Sequence, residues 1–269
     1  MCRLLGYLGP PLSLQKLILE PPHSLVVQSY APKELRVALL NADGFGLGWH
    51  HPTRTTEPFT YRSTLPAWND VNLEPLCRYI ESGSVLAYVR SATPGQGLDI
   101  SNCQPFQSGQ LLFTHNGYIN HFRDTLYRSM GQTMGDRAYG QVRGSTDSEH
   151  IWGLVLSELE WQPDLPLENA LEQALTTLVK LAHQHKTSFA ANILISNGDR
   201  LVGCRFATDG PAPTLYWLRP SDAFGPGTLI ASEPLFDGAW TACPDAALFT
   251  VEPNRDPQFR PLQHLSRAI

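Results

Sequence analysis

A cysteine directly behind the initiator methionine, Cys2 in MCRLLGYLG, is the residue type here with the most unusual chemistry open to it. Removing Met1 would leave a thiol and a free α-amine on one residue. The amine's ordinary pKa of about 7.7–8.0 lies close enough to the thiol's, about 8.5, for it to take the thiol proton near neutral pH. Nucleophile and general base would then arrive together, with no separate histidine. The plainer reading is a small buried thiol at the start of a strand.

Three further stretches could serve such a nucleophile. In YVRSATPG an apolar run ends in Arg90, whose planar fork of donors suits a carboxylate, although an arginine at a strand end is also an ordinary surface residue. In QLLFTHNGYI another strand runs into His115-Asn116-Gly117. Asn-Gly makes a turn, or the Asn116 side-chain amide and the Gly117 N–H make an oxyanion hole. In STDSEH, Thr146 and Glu149 stand in capping-box order and Asp147 suits the first turn of a helix. The same aspartate could pair with an ammonium group, so that Arg90 and Asp147 together would clamp an amino-acid zwitterion.

These residues need a frame. Arg3–Leu8, Leu25–Gln28, Phe45–His50, Ser84–Arg90 and Gln110–Thr114 read as strands, so the first half is sheet-rich. A helix opens at Thr146, and a second lies in LPLENALEQALTTLVKLAHQHK, whose Leu167, Ala170, Leu171, Ala174, Leu175, Leu178 and Leu181 form one apolar stripe. FAANILI and RLVGCRF flank an Asn197-Gly198 hairpin tip, and TLYWLR and TLIASE add two strands. Sheet, two long helices and sheet again predict a layered α+β architecture. With no linker, repeat or low-complexity tract, residues 2–269 read as one domain.

Composition narrows the function. A net charge of -5 with no Lys/Arg run argues against nucleic acid as partner, and the chain has no stretch of the ~20 apolar residues a membrane span needs. The start lacks a basic region and a cleavage site, which predicts a cytoplasmic protein with a small-molecule substrate. Five scattered cysteines without C-x-x-C pairs speak against a disulfide framework or structural zinc. Cys103 reads as a loop thiol, and Cys77, Cys204 and Cys243 as inert. His50, His51, His183 and His185 offer no ligand spacing, so no metal and no cofactor are expected.

Taken in order, Cys2-Arg3, ADGFGLGW, VRSATPG, THNGYI and STDSEH resemble the glutaminase domain of class II glutamine amidotransferases, within the N-terminal nucleophile hydrolases. The resemblance spans nearly the whole chain and implies a four-layer αββα sandwich. It implies Cys2 as nucleophile once Met1 is removed, Asn116 with Gly117 as oxyanion hole, and Arg90 with Asp147 on the α-carboxylate and α-amine of a glutamyl group. Thr93 falls where the family has a threonine that helps seat the carboxylate. Many members carry an Arg-Gly pair shortly before the Asp-Gly turn; here Leu40-Asn41-Ala42 precedes Asp43-Gly44, so the gating of ammonia-channelling members does not carry over. A length of 269 residues leaves no room for an ammonia-accepting domain. The chain looks most like stand-alone members that hydrolyse a γ-glutamyl amide, the rival classes being a general glutaminase and a non-catalytic glutamate or glutamine binder.

Overall fold

The computed structural model describes residues 2–34, 40–51, 53, 56–92, 97–220 and 224–266. The strands are β1 (Arg3–Ser13), β2 (Phe45–Trp49), β3 (Phe59–Ser63), β4 (Glu81–Val89), β5 (Phe106–Ser108), β6 (Leu111–Ile119) and β7 (Phe189–Ser196). They continue with β8 (Leu201–Ala207), β9 (Tyr216–Leu218), β10 (Thr228–Ala231), β11 (Thr241–Ala242), β12 (Ala247–Val251) and β13 (Gln258–Pro261). Two antiparallel sheets result, ordered β11-β9-β10-β1-β4-β2-β3 and β13-β12-β8-β7-β6-β5.

Period-two alternation decides which side chains meet between them. On β1, Leu5 and Tyr7 face outward, where they pack with Leu14, Leu17 and Ile18 of the Leu14–Ile18 helix and with Leu73 and Cys77 of the Leu73–Tyr79 helix. Leu4 and Leu8 face inward and meet Leu86 and Tyr88 of β4, Leu112 of β6, Leu194 of β7 and Leu201 of β8. Each such leucine, fully removed from water, contributes about 1.5–3 kcal/mol. The outer face of the second sheet is covered by the Asp147–Trp161 and Leu167–Gln184 helices, with Ala170, Leu171, Ala174, Leu175 and Leu178 packed among Phe113, Ala191, Ile193 and Phe206. The layers are therefore αββα, as the resemblance implies. Ser84 of β4 and Ser196 of β7 join the two sheets through a 2.7 Å hydroxyl–hydroxyl hydrogen bond.

Two expectations need correction. Leu25–Gln28 is not a strand but the start of a helix, Leu25–Tyr30. Val26 and Val27 favour extended structure, but the Ser24 hydroxyl accepts the Val27 N–H at 3.3 Å and caps the helix. The capping box at Thr146 is only half formed. Thr146 Oγ1 accepts the Glu149 N–H at 3.2 Å, but the Glu149 carboxylate turns to the preceding loop and accepts the Arg143 and Gly144 N–H groups at 2.7 and 2.5 Å. The Asn197-Gly198 hairpin forms as expected, its tip held by Asn197 Oδ1 accepting the Asp199 and Arg200 N–H groups at 3.1 and 3.0 Å.

Candidate active site

Cys2 enters on the central part of the first sheet, immediately before β1, and is 8 % exposed. Antiparallel pairing sets Arg3 opposite Val89 and Leu4 opposite Tyr88, so the cysteine lies beside the end of β4. There its Sγ donates to the Ser91 carbonyl at 3.4 Å and accepts the Ser91 N–H at 3.3 Å. The thiol is thus seated on the residue that follows Arg90.

Arg90 is 2 % exposed, not the surface residue that an arginine at a strand end suggests. Its Nη1 donates to the Asp43 carbonyl at 3.2 Å, and its backbone N–H donates to Gly44 O at 2.8 Å. Asp43 in turn donates its N–H to Arg90 O at 3.1 Å and accepts the Ala92 N–H on its carboxylate at 2.7 Å. Gly44, at φ +115°, makes the turn that brings Asp43 over Arg90, a backbone conformation that a side chain disfavours. Thr93 lies outside the described residues.

Asn116 and Gly117 are not a turn. Both lie within β6, paired with Asn192 and Ala191 of β7. β5 pairs only with Leu111–Phe113, which leaves the far edge of β6 open beyond that point. On this edge the His115 N–H donates to Gln104 Oε1 at 2.5 Å and the Ile119 N–H to Asp147 Oδ2 at 2.8 Å. Backbone groups two residues apart point the same way, so the Gly117 N–H faces that edge between them. A Cβ on residue 117 would collide with Ala190 O and the His115 ring, so glycine is sterically required. Asn116 is fully buried on the inward face; its Nδ2 donates to Ser232 Oγ at 3.5 Å, and its Oδ1 has no partner among the described residues.

Asp147 begins the Asp147–Trp161 helix. One carboxylate oxygen accepts the Ile119 N–H and the other accepts the Ser148 N–H at 2.8 Å. It therefore docks the helix onto the strand that carries Asn116, while remaining half-exposed.

Tyr88 is not marked by the sequence reading, which names His115 beside Asn116 without giving it a role. Tyr88 points inward like Arg90, two residues on; burial, the adjacent Cys2 and the Asp147 carboxylate raise its phenol well above the ordinary value, against the pull of Arg90. It stays a neutral phenol. Burial also lowers His115 below its usual value, although Asp147 and the Ala190 carbonyl oppose this. Its Nδ1 lies 2.8 Å from Ser148 Oγ and its Nε2 3.3 Å from Ala190 O. The alternation Tyr88–Arg90 could have flagged the tyrosine, and adjacency to Asn116 is the one local signal for the histidine.

The other thiols are set apart. Burial pushes Cys77, Cys204 and Cys243 up to about 12 and also raises Cys103, which donates to Ser63 O at 3.4 Å. Among the described residues no three His, Cys, Asp or Glu side chains gather as a metal site, and His185 Nε2 lies 2.8 Å from Ser129 Oγ. No helix among the described residues is long and apolar enough to cross a membrane.

A cysteine at the head of a central strand in an αββα sandwich is the arrangement of N-terminal nucleophile amide-cleaving enzymes. The chain belongs to the class II glutamine amidotransferases, whose family model matches residues 18–219. It is 31% identical over 252 residues to the gamma-glutamyl-hercynylcysteine sulfoxide hydrolase of Mycobacterium tuberculosis, covering 93% of each chain, and 32% identical to that of Mycolicibacterium smegmatis, covering 93% of this chain and 96% of the other. A probable glutamine amidotransferase of Saccharomyces cerevisiae is 29% identical, with 94% and 82% covered. Among solved structures, a glutamine amidotransferase class-II domain protein from Silicibacter pomeroyi is similar, with a TM-score of 0.70 at 27% identity over 97% of this chain and 99% of the other.

Proposed function

We propose that Cys2, its α-amine freed by removal of Met1, hydrolyses the γ-glutamyl amide of γ-glutamyl-hercynylcysteine sulfoxide, releasing glutamate and hercynylcysteine sulfoxide in ergothioneine biosynthesis. The observation that carries this reading is the seat of the Cys2 thiol on Ser91, the residue after the buried Arg90, with Ser232 Oγ accepting both the Leu4 N–H at 3.0 Å and the Asn116 amide at 3.5 Å. The names and coverage of the mycobacterial relatives support the choice of substrate.

Arg90 binds the α-carboxylate of the glutamyl group, with Thr93, and Asp147 binds its α-amine. The thiol proton passes to the Cys2 amine as Sγ attacks the γ-carbonyl carbon. The oxyanion so formed is held by Asn116 Nδ2 and the Gly117 N–H. The tetrahedral intermediate then collapses, the C–N bond breaks, and the amine returns the proton to the leaving nitrogen. Water attacks the resulting thioester, with the same amine as base, to give glutamate and restore the thiol. Five unpaired cysteines fit a reducing compartment, and we place the enzyme in the cytoplasm.

The test is glutamate release by Met1-processed protein offered γ-glutamyl-hercynylcysteine sulfoxide and, separately, glutamine. Preferential cleavage of the first, lost in Cys2→Ala, is expected. Glutamine cleaved as well or better would overturn the substrate assignment in favour of a general glutaminase. An active Cys2→Ala variant would overturn the mechanism.

A further inference from the structure

Among the described residues Arg3 is the largest fully buried side chain, and no step above uses it. Its Nη1 donates to the carbonyl of Cys2 at 2.8 Å, and its Nε donates to Glu233 Oε1 at 2.7 Å. Its Nη2 is buried without a partner among the described residues.

Glu233 is as buried as Arg3, and four donors converge on its carboxylate. Oε1 accepts from Arg3 Nε and from the Glu34 N–H at 3.1 Å; Oε2 meets His23 Nε2 at 2.7 Å and the Lys33 N–H at 2.8 Å. Burial raises this carboxyl, but the His23 and Lys33 hydrogen bonds, Arg3 and the Glu34 N–H outweigh it and hold the group below the ordinary carboxylate range. The guanidinium is thus gripped by an ionised partner that is itself immobilised from two separate segments.

The residue before Glu233 completes the pattern. Ser232 Oγ accepts the Leu4 N–H at 3.0 Å and the Asn116 amide at 3.5 Å, while the Ser232 N–H donates to Leu4 O at 3.1 Å. The dipeptide Ser232-Glu233 therefore ties the backbone of residues 2–4 on one side and the proposed oxyanion donor on the other. A buried ion pair is weak evidence for stability, since desolvation offsets most of its attraction.

We infer that Arg3, gripped by Glu233, is a positioning residue: it pins the Cys2 carbonyl so that the thiol and α-amine stand at a fixed place relative to Asn116 and Gly117. The inference rests on Cys2 acting as the nucleophile. In this scheme Arg3 acts through Cys2 and not on the substrate. Its loss acts on the approach of Sγ to the carbonyl carbon, where a misplacement of about 1 Å costs roughly 10²-fold. The α-carboxylate and α-amine contacts lie elsewhere and are untouched.

The experiment is steady-state glutamate release, with melting temperature measured alongside. Arg3→Gln/Glu233→Gln removes both charges together, so that neither is left buried alone. Its kcat is expected to fall about 10²-fold with KM within about threefold of the parent. Arg3→Lys keeps a cation for Glu233 but cannot also reach the Cys2 carbonyl; kcat is expected to fall about tenfold with an unchanged melting temperature. A folded double variant at parental kcat, Arg3→Lys at parental kcat, or a rise in KM with kcat unchanged would each overturn the inference. If the double variant does not fold, Arg3→Lys decides alone. The underlying reading fails separately, through an active Cys2→Ala.

Discussion

Replacing Asn116 with alanine separates catalysis from stability more cleanly than any other substitution in the site. The side chain is fully buried, yet its structural bonds are poor: Nδ2 reaches Ser232 Oγ only at 3.5 Å, and Oδ1 has no partner among the described residues. Deleting a weak bond costs a few tenths of a kcal/mol, and deleting an orphaned carbonyl returns about 1 kcal/mol or more of its desolvation penalty. The small void left behind costs a similar amount, at about 24 cal/mol per Å³ of cavity. These terms nearly cancel, so stability changes by no more than about 1 kcal/mol, which is roughly 2–4 °C in melting temperature for a chain of this size. The transition state loses much more, because one oxyanion donor is worth about 2.7–4 kcal/mol, or 10²–10³ in kcat. Calorimetry and glutamate release at saturating substrate measure both. A kcat within about threefold of the parent would remove Asn116 from the oxyanion hole, since a lost donor costs at least about 10². A loss of kcat matched by a large fall in melting temperature would refute the stability argument.

Gly117→Ala places a Cβ against Ala190 O and the His115 ring; β6 must shift, and both kcat and melting temperature are expected to fall together, unlike in Asn116→Ala. Arg90→Lys keeps the charge but loses the fork, and a lost charge-assisted bond of about 1.5–3 kcal/mol predicts a 10- to 150-fold rise in KM with kcat little changed. Burial lowers both His115 and His150, so each is neutral in the fold and takes up a proton on unfolding below about pH 6.5. Stability is therefore lost as the pH falls below that value, with a slope of at most about 2.7 kcal/mol per pH unit for the pair. Urea midpoints between pH 7 and 5 check this, and a midpoint that does not fall would contradict it.

Much of the candidate site is legible in the chain because its parts are local. Asn116-Gly117 at the end of an apolar run, Arg90 at the end of another, and Asp147 behind a helix-capping threonine each announce themselves within a few residues. What the sequence could not convey was their environment. A strand-end arginine and an Asn-Gly pair are usually exposed, and only the packing of a second sheet buries Arg90 and keeps Asn116 and Gly117 in an extended strand. The carboxylate partner of Arg3 is hidden for the same reason, because Glu233 lies 230 residues away and sits in no recognisable motif. The Leu25–Tyr30 helix was misread because one serine hydroxyl outweighs the extended preference of two valines.

The pairing of β1 with β10 has a consequence for when the protein becomes what it is. Leu5 lies opposite Ala231, and Arg3 finds its carboxylate 230 residues downstream. At about 5–20 residues per second, a ribosome needs roughly 10–50 s to supply that partner. Throughout this interval the first strand lacks its β10 neighbour. In the finished fold Cys2 is enclosed. The removal of Met1 that the proposed mechanism requires is therefore expected during translation, before the tail of the chain arrives and Cys2 is enclosed.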